Sequence, residues 1–590
     1  MEDNGKPKTG KRGKKLKPGP LILIFLTGFL LICFIGVRIY QRVPSKRAAP
    51  AAEFYDLSPG RLHFVYGDRH IPWESPPLML ADSHIYLPVD FITEFIDPYI
   101  FWDEPIKILT VTTPHMVIRL IPDEPRCLVN SLPHALEYPM LLVDGAVYLP
   151  EGFLSEFYSV SVSAPAPYGV VTVDSGYAPR FYASVHKKTS LRYEPHIKSP
   201  IAESLDEGDV ITVFPYAEEE PGEPALEGFI KARSQSGIIG YVQTVYLNNI
   251  QESPPAAREP EDNSLTAGID GKIVLLWDQV FRKEDNMSES RVNIPPVVNV
   301  LSPTWFSFDE ERLNGDIISL ADRDYVDRAH AMGVQVWALI SDNFKYEVSH
   351  AVLTSTLTRI HVIEQLMDLA EAYNLDGINI DFENVAEPDA RHYLQFFREL
   401  RPYTAARGLI LSVDMFVPLY TRYLNRAEVA KAVDYICVMT YDEHHITSPI
   451  SGPVASLPFV EQGISQTLEE VPKEKVIMGL PFYLRIWREI GIPPNVTVSS
   501  SATNLTSGYN RFLDNGAEFQ WLPDIGSYYG EYTAMENGDE ARYRLWLENT
   551  RSIGEKMNIF HKYDLAGIAC WKRLLETEDV WDMIEQALED

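Results

Sequence analysis

Hydrophobic and polar positions divide this chain into stretches of different character. Leu21–Val37 (LILIFLTGFLLICFIGV) is an uncharged apolar run of 17 residues. That is near the lower length for a membrane-spanning helix. Residues 60–178 hold an internal repeat. Ile85-Tyr86-Leu87-Pro88-Val89-Asp90-Phe91 matches Val147-Tyr148-Leu149-Pro150-Glu151-Gly152-Phe153 at an offset of 62 residues. Each copy predicts a strand, a proline and a short helix. Phe91/Phe95 and Phe153/Phe157, four apart, share a helix face. Residues 179–250 alternate apolar and polar positions in short runs between turn-rich stretches, which predicts an all-β unit. Residues 251–266 (QESPPAAREPEDNSLT) have three prolines and no apolar period, as expected of a linker.

Beyond residue 267 short apolar runs alternate with helical patterns. The predicted strands are Lys272–Val280, Val297–Pro303, Val334–Ile340, Gly377–Phe382, Leu409–Met415, Tyr435–Thr440, Val476–Leu480 and Ala566–Trp571. Eight βα units in about 320 residues predict a (β/α)₈ barrel with one insertion. Ile360, Ile363, Leu366, Met367 and Ala370 form one helical face before the fourth strand, and Asn374 is placed to end that helix. The expected architecture is multidomain. An α/β barrel over 267–590 is preceded by a small α+β repeat module, a small all-β barrel and one transmembrane helix over 21–37.

Charge sharpens the picture at the N-terminus. Residues 1–49 hold 11 basic and 2 acidic side chains, while the whole chain of 590 residues carries −31, so the remainder carries −40. Seven of the basic groups precede the apolar run, within a tail over 1–20. By the positive-inside rule this predicts a cytosolic tail and an exported body, anchored in the cell membrane by an uncleaved helix and facing the wall. A cleaved signal peptide fits less well, because the small-residue stretch Ala48–Ala52 begins 11 residues past Val37 with four basic residues between. An acidic body repels nucleic acid, so no nucleic-acid partner is expected. Four cysteines (Cys33, Cys127, Cys437, Cys570) without metal-type spacing predict neither a disulfide scaffold nor a metal site, and no cofactor is expected. Nothing in the sequence gives the oligomeric state.

The strongest chemical signal is Asp376-Gly377-Ile378-Asn379-Ile380-Asp381-Phe382-Glu383. Strand alternation places Asn379, Asp381 and Glu383 on one face, toward the barrel axis. Carboxylates two residues apart repel, and burial adds to the effect, so one of them is expected to hold a proton near neutral pH. A protonated carboxylic acid is what a glycosidase uses on its leaving group.

This motif resembles the DG-x-[DN]-x-[DN]-x-E signature of glycoside hydrolase family 18 at the end of the fourth barrel strand. Met439-Thr440-Tyr441-Asp442, Gly479-Leu480-Pro481-Phe482-Tyr483 and Trp571 follow in the family's order. The longer run through Glu443-His444 and Gly452–Pro458 resembles bacterial cell-wall and spore-cortex N-acetylglucosaminidases. Residues 60–178 resemble the N-terminal module of copper amine oxidases, without residues for metal chemistry, and 179–250 resemble bacterial Src-homology-3-like wall-binding domains. The family resemblance implies a substrate-assisted, retaining reaction in which the substrate's own acetamido group attacks. Glu383 would be the acid and then the base, Asp381 would steer the acetamide, and Tyr441 would hydrogen-bond it. Asp376 and Asn379 would support Asp381. Asp442, Trp305 and Tyr483 would contact substrate, and Trp571 would floor the pocket. The implied partner is an N-acetylglucosamine-containing glycan, peptidoglycan by context. A chitinase and a non-catalytic glycan-binding scaffold are the alternatives. His444 reads as a loop or subsite residue. The aromatic stretch Ile490–Arg544 reads either as a sugar-stacking surface or as a small satellite core.

Overall fold

In the computed structural model the described residues are 18–50, 55, 61–80, 83–163, 169–215, 228–254, 269, 271–492, 494–536 and 538–589. The basic tail up to residue 17 and residues 255–266 of the expected linker lie outside them. The chain divides into two compact units, Met1–Pro98 with Glu137–Arg258, and Tyr99–Leu136 with Glu259–Asp590.

In the first unit a helix runs from Pro18 to Arg42, longer at both ends than the apolar run. It is long and apolar enough to cross a bilayer, and none of its window Phe25–Arg42 is buried. The internal repeat is a structural pair. Strands Ile85–Pro88 and Ala146–Pro150 are antiparallel neighbours, and Leu87 faces Leu149, its own counterpart 62 residues away. Pro88 and Pro150 cap the helices Val89–Phe95 and Glu151–Tyr158, because a residue lacking an N–H costs nothing at a helix start. Seven antiparallel strands between Arg180 and Ser253 make the all-β part. Its last strand, Gln251–Ser253, pairs with Arg180–Tyr182 and occupies the first residues of the expected linker.

The second unit is built on a closed parallel barrel. Its strands are β1 (Ile273–Asp278), β2 (Val300–Phe308), β3 (Gln335–Ser341), β4 (Gly377–Asp381), β5 (Ile410–Phe416), β6 (Tyr435–Met439), β7 (Val476–Pro481) and β8 (Gly567–Trp571). β1 pairs with both β2 and β8, which closes the ring. All eight coincide with the predicted strands to within a few residues. Helix Thr356–Tyr373 ends at Asn374 in the left-handed conformation, as its sequence predicts. Between β7 and β8 a five-stranded antiparallel sheet (Tyr483–Leu547) carries helix Leu505–Asp514. Phe519, Phe512, Tyr532 and Tyr543 pack ring against ring in a row there, with Phe512 fully buried, so these aromatics form a satellite core.

A second sheet belongs to this unit although it lies between the two copies of the repeat. Its five strands run from Phe101 to Ala135. It docks on the barrel helices Thr356–Tyr373 and Ala390–Ala405 through charge. Arg119 and Arg359 both reach Glu399, at 3.0 and 2.9 Å, and all three side chains are buried. Arg398 donates to the Thr112 hydroxyl at 3.0 Å, and the Thr356 N–H to Asp103 at 3.2 Å.

Candidate active site

Polar side chains inside the barrel are tolerated only where each finds a partner. Asn379 on β4 shows how that is met. Its carbonyl oxygen accepts from Trp277 Nε1 (β1, 3.0 Å) and Ser302 Oγ (β2, 3.1 Å), and its amide donates to Ser412 Oγ (3.0 Å) and Asp414 Oδ1 (2.8 Å) on β5. The side chain thereby ties four strands across the axis and orients Asp414.

Above this layer stand the carboxyl groups. Asp381 ends β4 and is buried; its Oδ1 has no hydrogen-bond partner among the described residues. Glu383 follows at the rim, partly open to solvent. Asp342, just past β3, is fully buried and accepts from the Ser349 hydroxyl (2.6 Å), Asn384 N–H (2.9 Å) and Phe344 N–H (3.0 Å). It therefore braces the turn that carries Glu383. Burial, and the charges of Asp342, Asp414 and Asp442, push the Glu383 carboxyl up to about 8. Burial pushes Asp414 up to about 7, against hydrogen bonds from Asn379, Cys437 and Trp277. Asp381 is raised well above the usual carboxylate range by burial and then by Glu383, Asp414 and Asp342. At neutral pH the group therefore retains protons, and Glu383 is an acid.

Aromatic rings close the site. Tyr441, just past β6, lies 6.4 Å from the Trp277 ring and 6.3 Å from Tyr483. Burial, then Asp414, keeps its phenol protonated. Gly479 on β7 makes room for it, since a Cβ there would lie 2.9 Å from the Tyr441 ring and 2.7 Å from the Val438 carbonyl oxygen. Trp571, half-buried at the end of β8, lies edge-on to Trp277 at 5.9 Å. The Tyr483 hydroxyl donates to Asp442 Oδ1 at 2.5 Å, with Arg485 3.5 Å away from the same carboxylate.

Residues 341–575 match the family described as "Glycosyl hydrolases family 18". A family 18 glycosyl hydrolase domain occupies this barrel. The matched stretch contains Asp381, Glu383, Tyr441, Tyr483 and Trp571. Residues 67–172 match the "Copper amine oxidase N-terminal domain". The chain is similar to the "Putative sporulation-specific glycosylase YdhD" of Bacillus subtilis, 29% identical over 40% of this chain and 56% of that protein. It thus spans little more than half of that relative's length. It is also similar to the "Cortical fragment-lytic enzyme" of Bacillus anthracis, 24% identical over 50% of this chain and 71% of that one. Among solved structures, the C-terminal domain of a putative chitinase from Desulfitobacterium hafniense aligns over 54% of this chain and 99% of its own, with 22% identity and a TM-score of 0.47.

Seven of the nine residues singled out from the sequence lie together at or just below the C-terminal rim: Glu383, Asp381, Tyr441, Asn379, Asp442, Tyr483 and Trp571. Two do not. Asp376 precedes β4 at the opposite end of the barrel, where it accepts from the Val336 N–H (2.8 Å) and pairs with His330 Nε2 (2.7 Å). It holds strand starts together and is too far away to support Asp381, because five residues of strand separate them. Trp305 points into the core, fully buried, with its Nε1 on Asn286 (2.7 Å) and its ring against Tyr325. Ser302 faces the axis, so strand alternation puts Trp305 on the opposite face of β2, toward the helices. Asp414, Asp342 and Trp277 were missed. Ser412 and Asp414 alternate with Leu411 and Val413, which was a readable inward-facing signal. Asp342 follows the third predicted strand, at the end of the barrel where chemistry collects, but its spacing assigns it no role. His444 packs its ring against Gly452, with Nδ1 3.1 Å from the Pro453 carbonyl, and shapes the loop after β6.

Proposed function

We propose that this protein hydrolyses β-1,4 bonds after N-acetylglucosamine in peptidoglycan by a retaining, substrate-assisted reaction. The observation that carries the reading is the paired Asp381 and Glu383, both held toward the protonated form among acidic neighbours, with one buried Asp381 oxygen lacking a partner. Glu383 gives its proton to the glycosidic oxygen as that bond breaks. The acetamido oxygen of the same sugar attacks the anomeric carbon, so no second protein carboxylate is needed as nucleophile. Asp381 accepts the acetamido N–H and stabilises the oxazolinium that forms, and Tyr441 donates to the acetamide. Water then opens the ring from the face the leaving group vacated, handing its proton to Glu383, and the product keeps the β configuration. Trp571 floors the sugar. The resemblance of residues 179–250 to Src-homology-3-like wall-binding domains and the apolar helix Pro18–Arg42 support a membrane-anchored enzyme facing the cell wall.

The test is mass spectrometry of fragments released from purified peptidoglycan. The reading requires new reducing ends of N-acetylglucosamine, and reducing N-acetylmuramic acid would refute it. Glu383→Gln is expected to lower kcat about 10²–10⁴-fold, as loss of a general acid does. Unchanged turnover in that variant would remove Glu383 from the mechanism. Release of reducing ends by the wild type also excludes the scaffold alternative.

A further inference from the structure

Where β8 ends beside β1, the rim carries a positive charge that the reaction above does not use. Trp571 is followed by Lys572 and Arg573. Arg573 is buried; its guanidinium donates to Asp278 Oδ2 (2.8 Å) and to the carbonyls of Arg291 and Asn293 (2.9 and 2.7 Å). Its backbone N–H donates to the Trp277 carbonyl at 2.9 Å, and the Trp571 carbonyl accepts from Phe482 N–H at 2.6 Å. Lys572 is therefore held between two pinned neighbours.

The Lys572 ammonium donates to the neutral side-chain oxygen of Gln279 and lies 5.4 Å from the ring centre of Phe281. Among the described residues it pairs with no carboxylate. The nearby anion, Asp278, is already shared by Arg291 and Arg573, each at 2.8 Å. Three cations thus face one anion, on a body of strongly negative net charge. Phe281, four residues beyond Trp277, is 70% exposed. Phe281 offers an exposed aromatic surface beside Lys572, whose ammonium lies over the ring and retains free donors for an anion.

The geometry points to Lys572 as a specificity-determining residue. It binds the carboxylate of a 3-O-lactyl group on the sugar adjoining the N-acetylglucosamine on Trp571, with Phe281 stacking that neighbour. The inference rests on the peptidoglycan reading and deepens it. Peptidoglycan alternates N-acetylglucosamine with N-acetylmuramic acid, so either neighbour bears the lactyl group whichever way the strand runs. Chitin offers a neutral hydroxyl there. In peptide-bearing strands the lactyl carboxyl is an amide and uncharged. Water must first break that C–N bond, leaving a free carboxylate and an amine. The reaction that supplies the preferred substrate is therefore an amide hydrolysis that strips stem peptides from the glycan.

The experiment measures kcat/KM of the detergent-solubilised full chain on three substrates: peptide-stripped glycan strands, the same strands with methyl-esterified carboxyls, and chitohexaose. The wild type is expected to prefer stripped over esterified strands about tenfold, as one charge-assisted contact supplies, with the ratio falling as salt rises. Lys572→Met is expected to bring the ratio to about one, and Lys572→Arg to restore most of it. An equal loss on all three substrates in Lys572→Met, or a wild-type ratio of one, overturns the assignment while leaving the peptidoglycan reading intact. Hydrolysis of chitohexaose with none of either strand overturns both.

Discussion

Glu383 is an acid at neutral pH first because it is buried and then because its neighbours are acids. Burial raises its carboxyl, and Asp342 is the largest of the charges that raise it further. Asp342→Asn removes that charge, so the alkaline limb of the kcat/KM profile, which in the proposed reaction reports loss of the Glu383 proton, is expected to move to lower pH. A limb that stays in place would mean another group sets it. The same shift has a stability consequence. Glu383 is raised from 4.5 to about 8. Below pH 4.5 both the folded and the unfolded chain hold this proton. Between there and pH 8 the unfolded chain releases it while the folded one keeps it, so stability falls as pH rises. Glu383→Gln abolishes this penalty. Its Tm is expected to exceed that of the wild type at pH 8, with the difference closing by pH 4.5. An equal Tm at pH 8 would show that the charge is not resisted by the fold.

At the scale of elements, strand β4 and its neighbours show how short motifs become geometry. Asn379 could satisfy its amide only by reaching β1, β2 and β5, and those bonds fix the rotation of the strand that ends in Asp381. On β7 the missing Cβ of Gly479 leaves room for the edge of the Tyr441 ring. Gly479→Ala places a methyl 2.7 Å from the Val438 carbonyl oxygen and 2.9 Å from the Tyr441 ring. Moving the ring cannot relieve the clash with a backbone oxygen, so β6 and β7 part locally and Tyr441 shifts with them. The expected result is a kcat loss of about tenfold or more, since displacement of a positioning group by an ångström costs on that order, with near-UV circular dichroism showing an intact fold. Unaltered kcat would show that Tyr441 tolerates the shift.

Over the whole molecule, the catalytic unit is not one continuous segment. The sheet Phe101–Ala135 covers the barrel helices and brings Arg119 to Glu399, which is also the partner of Arg359. Glu399→Ala leaves two buried guanidinium groups without their anion, for which a loss of about 3–5 kcal/mol is expected. A chain beginning at residue 267 lacks Arg119, Thr112 and Asp103. It is expected to melt below the barrel of the full chain in calorimetry. An equal melting temperature would show that the docked sheet adds nothing to the barrel.

Taken by itself, the sequence determined whatever depends on local periodicity. The eight strands, the 62-residue repeat, the apolar N-terminal helix and the Asp381–Glu383 pair were all legible, because strand and helix periods impose themselves on neighbouring residues. What local pattern cannot carry is distance across the fold. Asp414 and Asp342 become part of the site only when β3, β4 and β5 are laid side by side. Trp305 falls on the helix-facing side of β2, opposite Ser302, and Asp376 falls at the far end because a strand has length. The sheet between the repeats joined the barrel through a buried ion cluster whose members lie up to 280 residues apart. Its energetics follow from burial, which exists only once the chain has folded.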